Sequence, residues 1–181
     1  CNLAGDGDGR IDRDNFAVIS AVPSAGGAAA EAVNFWIHMA AADLLSGVAP
    51  RPTGLAFGQT SPEGKISGGY QISFSLDGAL PGRTATDATV QPRAGLYLAL
   101  MNDPGAATSS TTGMMVPQIV QRIDQKGDDG LPNSGSMIVM GTVNDPTATP
   151  PVTTGCASAA DGTAAYNPTG SGCGLFIRIG Q

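Results

Sequence analysis

The chain has 181 residues, which is long enough for one domain to bury a hydrophobic core without obligatory disulfides or metals. It carries a net charge of -6 and nine Lys and Arg residues that are not clustered, so phosphate backbones and anionic lipid surfaces would be repelled. These properties argue against nucleic acid as a partner. We expect residues 1–181 to form a single globular domain.

The high content of Gly (26) and Pro (13) predicts few regular elements joined by long loops. Residues 15–22 form a short apolar segment that suits either one helical turn or a strand. The first strong element is an amphipathic helix over residues 28–46, which we expect Gly47 to end. Its apolar positions recur at helical spacing and are Val33, Trp36, Ile37, Ala40, Leu44 and Leu45. This spacing predicts a helix with one face toward the core.

Four segments have the pattern of strands. Gly69–Leu76 alternates apolar and polar side chains, which predicts a half-buried antiparallel strand. Gly95–Met101 is a second apolar strand, and Met137–Met140 and Leu175–Ile179 are shorter ones. The segments predict an α+β fold in which a helix packs on a small antiparallel sheet.

A second, shorter helix is predicted over Val116–Lys126, with Pro117 in its first turn. Its apolar stripe consists of Val116, Ile119, Val120 and Ile123. We expect this stripe to face the core.

The three cysteines indicate an oxidising compartment. Cys156 and Cys173 flank a polar, turn-rich stretch, where a covalent closure would contribute about 3 kcal/mol. We therefore predict a Cys156–Cys173 disulfide. Cys1 is then unpaired, which leaves three readings: a lost upstream partner, which we prefer, a free thiol, or a modified terminus.

The Asp/Gly-rich opening of the chain partly fits a calcium loop of the EF-hand type. Its ligands would be Asp6, Asp8, the carbonyl of Arg10, and Asp12. Two ligand positions fail, because the first falls on Ala4 and the last on Asn15, unless Asp14 substitutes for Asn15 from one residue away. The alternatives are a Gly/Asp turn with solvated carboxylates and a calcium site of low affinity.

A second acidic cluster follows the second predicted helix and contains Asp124, Asp128 and Asp129, with Asn133 nearby. Negative charge is unfavourable at a helix C-terminus, and a cation would relieve that cost. The alternative is a turn in which the Asp side chains cap backbone amides. Both readings, calcium site and capped turn, stay open from the residues alone.

The sequence contains no convincing catalytic centre. His38 is the single histidine, and zinc or a Ser/His/Asp arrangement would need companions that its helix does not supply, so we expect a hydrogen-bonded structural residue. A hydrolase using Asp128 and Asp129 is the remaining enzymatic hypothesis, but adjacent residues in a turn point their side chains apart. We expect the protein not to be an enzyme.

Three segments in order resemble the globular head of type IV pilin-like proteins, including type II secretion pseudopilins. They are Gly5–Ile11, Phe35–Gly47 and Ile123–Gly135, with the motifs Gly-Asp-Gly-Asp-Gly-Arg-Ile, Phe-Trp-x-His-Met-Ala and Asp-Asp-Gly-x-Pro-x-Ser-Gly. The resemblance implies a pilin-like α+β head with long loops and a C-terminal loop bounded by the disulfide. It also implies calcium in the second acidic cluster, as in some pseudopilins.

The same resemblance implies a filament subunit. Its partners would be identical or related subunits and, before assembly, an inner-membrane assembly machinery. The subunit would be exported by a Gram-negative bacterium, stored in the membrane as a precursor, and extracellular or periplasmic once assembled. The Trp36 helix would then pack on an apolar N-terminal helix. The alternative is a secreted or lipid-anchored surface binding module, with Cys1 as the lipidated residue.

Overall fold

The computed structural model describes residues 7–11, 31–49, 56–75, 93–102, 114–140, 155–158 and 164–180. The elements in chain order are helix α1 (Glu31–Ala41), strands β1 (Gly69–Ser75) and β2 (Gly95–Met101), helix α2 (Pro117–Gly127), and strands β3 (Met137–Met140) and β4 (Gly174–Gly180). This arrangement confirms the α+β fold and all four predicted strands. The apolar segment 15–22 lies outside the described residues.

The four strands form one antiparallel sheet in the order β1-β2-β4-β3. The last strand of the chain is therefore inserted between β2 and β3. Leu98 in the centre of β2 lies opposite Ile72 on one side and Ile177 on the other. The sheet core is thus built from segments far apart in sequence.

Both helices cover the same face of the sheet. The α1 cluster joins α1 to the β1–β2 side and consists of Ala32, Val33, Trp36, Ile37, Val48 and Ile72, with Leu96 and Leu98 packed against it. The α2 cluster joins α2 to the β3–β4 side and includes Leu100, Met115, Val120, Val139, Tyr166 and Leu175 with both disulfide cysteines. The helix packing that the sequence predicts is therefore present, and each helix covers its own half of the sheet.

The opposite face of the sheet is also buried, which differs from the half-buried strand predicted for β1. Gln71 and Ser75 have no exposed surface. Gln71 Nε2 donates a hydrogen bond to Ser61 Oγ at 2.9 Å, and Phe57 packs on the apolar part of this face. Residues 56–61 therefore lie over the polar side of β1, a contact that strand periodicity cannot reveal.

The chain covers both edges of its own sheet. At the β1 edge, Tyr70 N donates to the Pro62 carbonyl at 3.0 Å. At the β3 edge, Val139 N donates to the Pro132 carbonyl at 2.9 Å, and the Met137 amide donates to the Asp128 carboxylate. Covered edges prevent strand addition by another chain.

Helix α1 is shorter than predicted, because it ends at Ala41 and not at residue 46. Leu44 N donates to the Met39 carbonyl at 2.9 Å and Asp43 N donates to the Ala40 carbonyl at 3.1 Å, the two bonds of a Schellman motif. Asp43 adopts φ 58° in place of the usual Gly, and Leu44 is 69% exposed. The prediction that Gly47 ends the helix is therefore wrong.

Helix α2 has the predicted position, but its buried stripe is shifted by one residue. Val120 and Asp124 are fully buried, whereas Val116 is 49% and Ile119 45% exposed. The predicted stripe is wrong at these two exposed positions. A carboxylate occupies a core position of the helix instead, and its surroundings form the candidate site.

Candidate cation site

Asp124 is a buried carboxylate on the core face of α2, one turn after Val120. Its Oδ2 atom accepts a hydrogen bond of 2.7 Å from the Tyr166 hydroxyl, which is also buried. Its Oδ1 atom is buried too, and no group in the described part of the chain donates a hydrogen bond to it. A fully buried carboxylate with one unpartnered oxygen is costly unless a proton or a cation accompanies it.

The surroundings of Asp124 favour its neutral form. Burial raises the pKa of this carboxyl from 3.8 to about 6. The Tyr166 hydroxyl and the Gly130 amide lower the pKa, whereas the charges of Asp129 and Asp128 raise it. The balance of these effects makes the charged form of Asp124 less favourable than in water, so that the carboxyl is neutral below about pH 6 and charged above it.

Asp128 is the C-terminal cap residue of α2 and connects it to β3. Its own amide donates to the Asp124 carbonyl at 2.6 Å, and its Oδ2 atom accepts from the Met137 amide at 2.8 Å. The Ser136 amide donates to the same oxygen. A side chain at Gly135 would collide with this carboxylate, and Gly135 has φ 75°. Glycine is therefore required where the loop passes Asp128.

Asp129 organises the tip of the same loop. Its Oδ1 atom accepts from the Leu131 amide at 2.8 Å, and its Oδ2 atom accepts from the Ser134 hydroxyl at 2.5 Å. These bonds, with those of Asp128, match the capped-turn alternative of the sequence analysis.

The three carboxylates Asp124, Asp128 and Asp129, called here the acidic cluster, each offer an oxygen, and these oxygens all lie within 4.8 Å of one another. Oxygens on opposite sides of one calcium ion are up to about 5 Å apart, because calcium binds oxygen at about 2.3–2.6 Å. The donor set consists of hard carboxylate oxygens, which suit calcium and not soft metals. The residues therefore fit a hard divalent cation that water molecules would help to coordinate.

The predicted disulfide is present, with a Cα–Cα distance of 5.4 Å between Cys156 and Cys173. Residues 155–158 and 164–173, called here the disulfide segment, lie beside α2. Cys173 and Met115 exchange two backbone hydrogen bonds of 2.9 Å immediately before α2 begins. Gln118 Nε2 donates to the Pro168 carbonyl at 2.6 Å. The disulfide segment is thus attached to α2 at its start and, through Tyr166, at Asp124.

The first predicted calcium loop is described only in part, since Asp6 and Asp12 lie outside the described residues. Asp8 Oδ1 accepts the Arg10 amide at 2.8 Å, which closes a local turn. The Arg10 guanidinium lies 5.2 Å from the centre of the Phe74 ring. Ile11 accepts the Phe74 amide through its carbonyl at 2.9 Å. The described half of this loop therefore binds the β1 edge, and its calcium binding stays a prediction.

His38 lies on α1, and its Nε2 atom is buried without a hydrogen-bond partner in the described part of the chain. The prediction of a hydrogen-bonded structural histidine stays a prediction, since this finding concerns one of the two ring nitrogens. The structure does not bring His38 to the acidic cluster, since the described cluster of possible metal ligands contains only the three Asp residues.

Sequence reasoning grouped the three Asp residues correctly but did not find Tyr166. The available signal was a large aromatic side chain inside a polar, turn-rich stretch bounded by cysteines. Such a side chain is out of place in solvent and requires a partner in the core. Its contact with a residue 42 positions earlier is not visible in local patterns.

Comparisons with known proteins identify no relative: no protein-family model, curated protein or solved structure matches this chain. Among the helices that the structure describes, none has the length and apolar character needed to cross a bilayer.

Proposed function

We propose that this chain is the head domain of a structural subunit of an extracellular or periplasmic, type IV pilus-like filament. The observation that carries the proposal is the chain order of its parts. A helix packed on an antiparallel sheet comes first, then an acidic loop after a second helix, then a disulfide segment closing on the last strand. Two of these parts, helix α1 and the acidic loop after α2, overlap the segments Phe35–Gly47 and Ile123–Gly135 that resemble pilin-like heads.

The covered sheet edges support a particular mode of assembly. Strand addition between subunits needs a free edge, and the described edges of β1 and β3 are both hydrogen-bonded within the chain. Trp36 is 9% exposed and packs within the α1 cluster, so its side chain is already covered by the sheet. Assembly would therefore use an apolar N-terminal helix and contacts outside the described strand edges.

The acidic cluster supports a structural role over an enzymatic one. The carboxylates of Asp128 and Asp129 accept hydrogen bonds from the loop between α2 and β3, and Asp124 accepts one from Tyr166. Groups engaged in this way hold a loop in shape and are not poised for acid–base chemistry on a substrate. We accordingly assign no enzymatic activity.

The experiment for the filament is immunogold electron microscopy of surface appendages with antibodies raised against the purified head domain. Gold along the length of filaments, with the protein sedimenting in the sheared filament fraction, is the expected result. Antibody preabsorbed with the head domain is the control. Protein found as single lipid-linked molecules of the cell envelope would instead establish the alternative, a lipid-anchored surface binding module.

Within this function, the acidic cluster would hold a calcium ion that stabilises the loop between α2 and β3. The specific observation in favour is the buried Oδ1 atom of Asp124, which has no hydrogen-bond partner in the described part of the chain, on a carboxylate close to those of Asp128 and Asp129. The ion would supply compensating positive charge and no chemistry. Asp124, Asp128 and Asp129 would be its protein ligands.

Thermal unfolding in calcium and in EDTA tests this site. Calcium should raise the Tm of the wild-type domain and have little effect on Asp124→Asn, which removes one ligand charge. Asp43→Asn makes the same charge change at the end of α1 and should keep the calcium response. Asp8→Asn in the same assay tests the first loop separately. An equal Tm of the wild type in calcium and in EDTA would contradict the site.

A further inference from the structure

Tyr166 connects the acidic cluster to the disulfide. Its hydroxyl donates to Asp124 Oδ2 at 2.7 Å, and the side chain is 7% exposed. The bond occupies one carboxylate oxygen and thereby fixes the plane of the group. The other oxygen, Oδ1, has no hydrogen-bond partner among the described residues, so it can accept an ion.

The position of Tyr166 depends on the backbone around Cys156. Ala157 pairs with Tyr166 across a small antiparallel bridge. The residues on either side of Tyr166 bind the same strand: Asn167 N donates to the Cys156 carbonyl and Ser158 N donates to the Ala165 carbonyl, both at 2.9 Å. Tyr166 is thus held by a short antiparallel pairing of residues 156–158 with residues 165–167, next to the disulfide.

The other end of the disulfide is fixed to α2. Cys173 is hydrogen-bonded to Met115, just before the helix that carries Asp124. The disulfide, the antiparallel pairing at Tyr166, the Tyr166 side chain and α2 therefore form a closed ring of covalent and hydrogen bonds. Opening the disulfide removes the covalent member of this ring and leaves Tyr166 held by these hydrogen bonds and by its packing in the α2 cluster.

We propose that Tyr166 is a positioning residue of the cation site and that the Cys156–Cys173 disulfide, by holding Tyr166, makes cation affinity depend on its oxidation state. The inference rests on the proposed calcium site. Partners that orient a metal-binding carboxylate typically change metal affinity by about 10- to 100-fold when removed. By thermodynamic linkage, the bound cation in turn stabilises the disulfide segment.

Calcium titration calorimetry on the folded domain tests the proposal in oxidised and reduced wild type and in oxidised and reduced Tyr166→Phe. We expect calcium affinity to fall about 10-fold or more in oxidised Tyr166→Phe. Reduction of the wild type should have a similar effect. Tyr97→Phe is the matched control, because it removes a buried hydroxyl that donates to the Arg93 carbonyl at 2.6 Å on the other face of the sheet. Its calcium affinity should equal that of the wild type.

The four measurements also separate positioning from general structural support. If the disulfide acts through Tyr166, reduction of Tyr166→Phe should cause little further loss of affinity, because the two changes remove the same constraint. If Tyr166 and the disulfide only supported the fold independently, the losses of calcium affinity caused by Tyr166→Phe and by reduction would add. Trp36 fluorescence checks that the α1 cluster stays folded in each sample. If reduction unfolds the domain, the calcium affinity of oxidised Tyr166→Phe is compared with that of oxidised Tyr97→Phe, and this comparison decides whether Tyr166 positions the cation site.

The possible outcomes test the role of Tyr166 and the disulfide separately from the proposed calcium site. No calcium binding by the oxidised wild type would overturn the cation site and the inference together. Calcium binding with equal affinity in wild type and Tyr166→Phe would overturn the role of Tyr166 and leave the cation site standing. A loss in Tyr166→Phe without a loss on reduction of the folded wild type would overturn the dependence on the disulfide.

Discussion

The two helices cover the same face of one sheet, but they are held there by different interactions. Helix α1 is attached by apolar side chains, with Val33 fully buried and Trp36 and Ile37 nearly so. Helix α2 is attached by the α2 cluster together with the Asp124–Tyr166 hydrogen bond, the Asp128 cap and a neighbouring disulfide. Burial of apolar surface needs no directional partner, whereas buried polar groups are stable only with their partners in place. The half of the sheet covered by α2, called here the α2 half, should therefore respond to reducing agents, to cations and, through Asp124, to pH. The half covered by α1, called here the α1 half, buries Glu31 and Asn34 as well as its apolar side chains and should respond less to reducing agents and cations.

The largest change in the free energy of unfolding should come from removing an apolar contact of the α1 half. Trp36→Ala deletes a side chain that is 9% exposed, and large-to-small core substitutions of this kind cost about 3–5 kcal/mol. Leu44→Ala, at a position that is 69% exposed, should change stability by less than about 0.5 kcal/mol. Chemical denaturation followed by circular dichroism measures both. A large loss in Leu44→Ala would show that α1 extends into the core beyond Ala41.

Reduction of the Cys156–Cys173 disulfide should have the next largest effect. Closing a loop with a sequence separation of 17 contributes about 3 kcal/mol, so the Tm should fall by several degrees. Hydrogen exchange should become faster in the disulfide segment and stay slow in α1. Because the chain has a single Trp, its fluorescence below the transition reports the α1 half alone and should not change. Unchanged melting after verified reduction would contradict the prediction.

The next effect in size is the pH dependence that Asp124, in the α2 half, gives to the free energy of unfolding. The folded-state pKa of Asp124 is raised to about 6 from 3.8, so the folded chain holds this proton more tightly than the unfolded chain. In the absence of divalent cations its contribution favours folding below pH 3.8 and is lost as the pH rises through 6. The free energy of unfolding, measured by denaturation of the wild type and of Asp124→Asn from pH 4 to 7.5, should decline with pH through this contribution in the wild type and not in Asp124→Asn. Parallel curves would contradict a raised pKa.

The smallest predicted effect is a gain in folding stability from a substitution at the end of α1. Asp43 occupies the left-handed position of the helix end with φ 58°, where Gly has no steric cost. Asp43→Gly should raise the free energy of unfolding by up to about 1 kcal/mol, because the left-handed strain it relieves, about 1–2 kcal/mol, exceeds the entropic cost of Gly, about 0.5–1 kcal/mol. Asp43→Ala, which keeps the cost of a Cβ atom, serves as the comparison in the same denaturation assay and should show no such gain.

Features set by local sequence patterns could be predicted, whereas features that depend on distant partners could not. Strands β2 and β3 match their predicted bounds, because apolar runs between polar turns are local patterns. The end of α1 was missed, because an Asp takes the position where Gly is expected. The shifted stripe of α2 and the burial of Gln71 were missed, because both depend on distant partners: Tyr166 for Asp124, and Ser61 for Gln71. The candidate site was therefore predictable as a group of carboxylates, and its buried oxygen was not.

The coding sequence upstream of the Cys1 codon tests the filament proposal most directly. The account predicts a basic leader ending in Gly, then Phe or Met, a nearby Glu and about twenty apolar residues, the length of a membrane-spanning helix. Such a segment would supply the helix through which pilin-like subunits are stored and assembled. A lipoprotein signal that ends at Cys1 would contradict the account and establish a lipid-anchored surface protein.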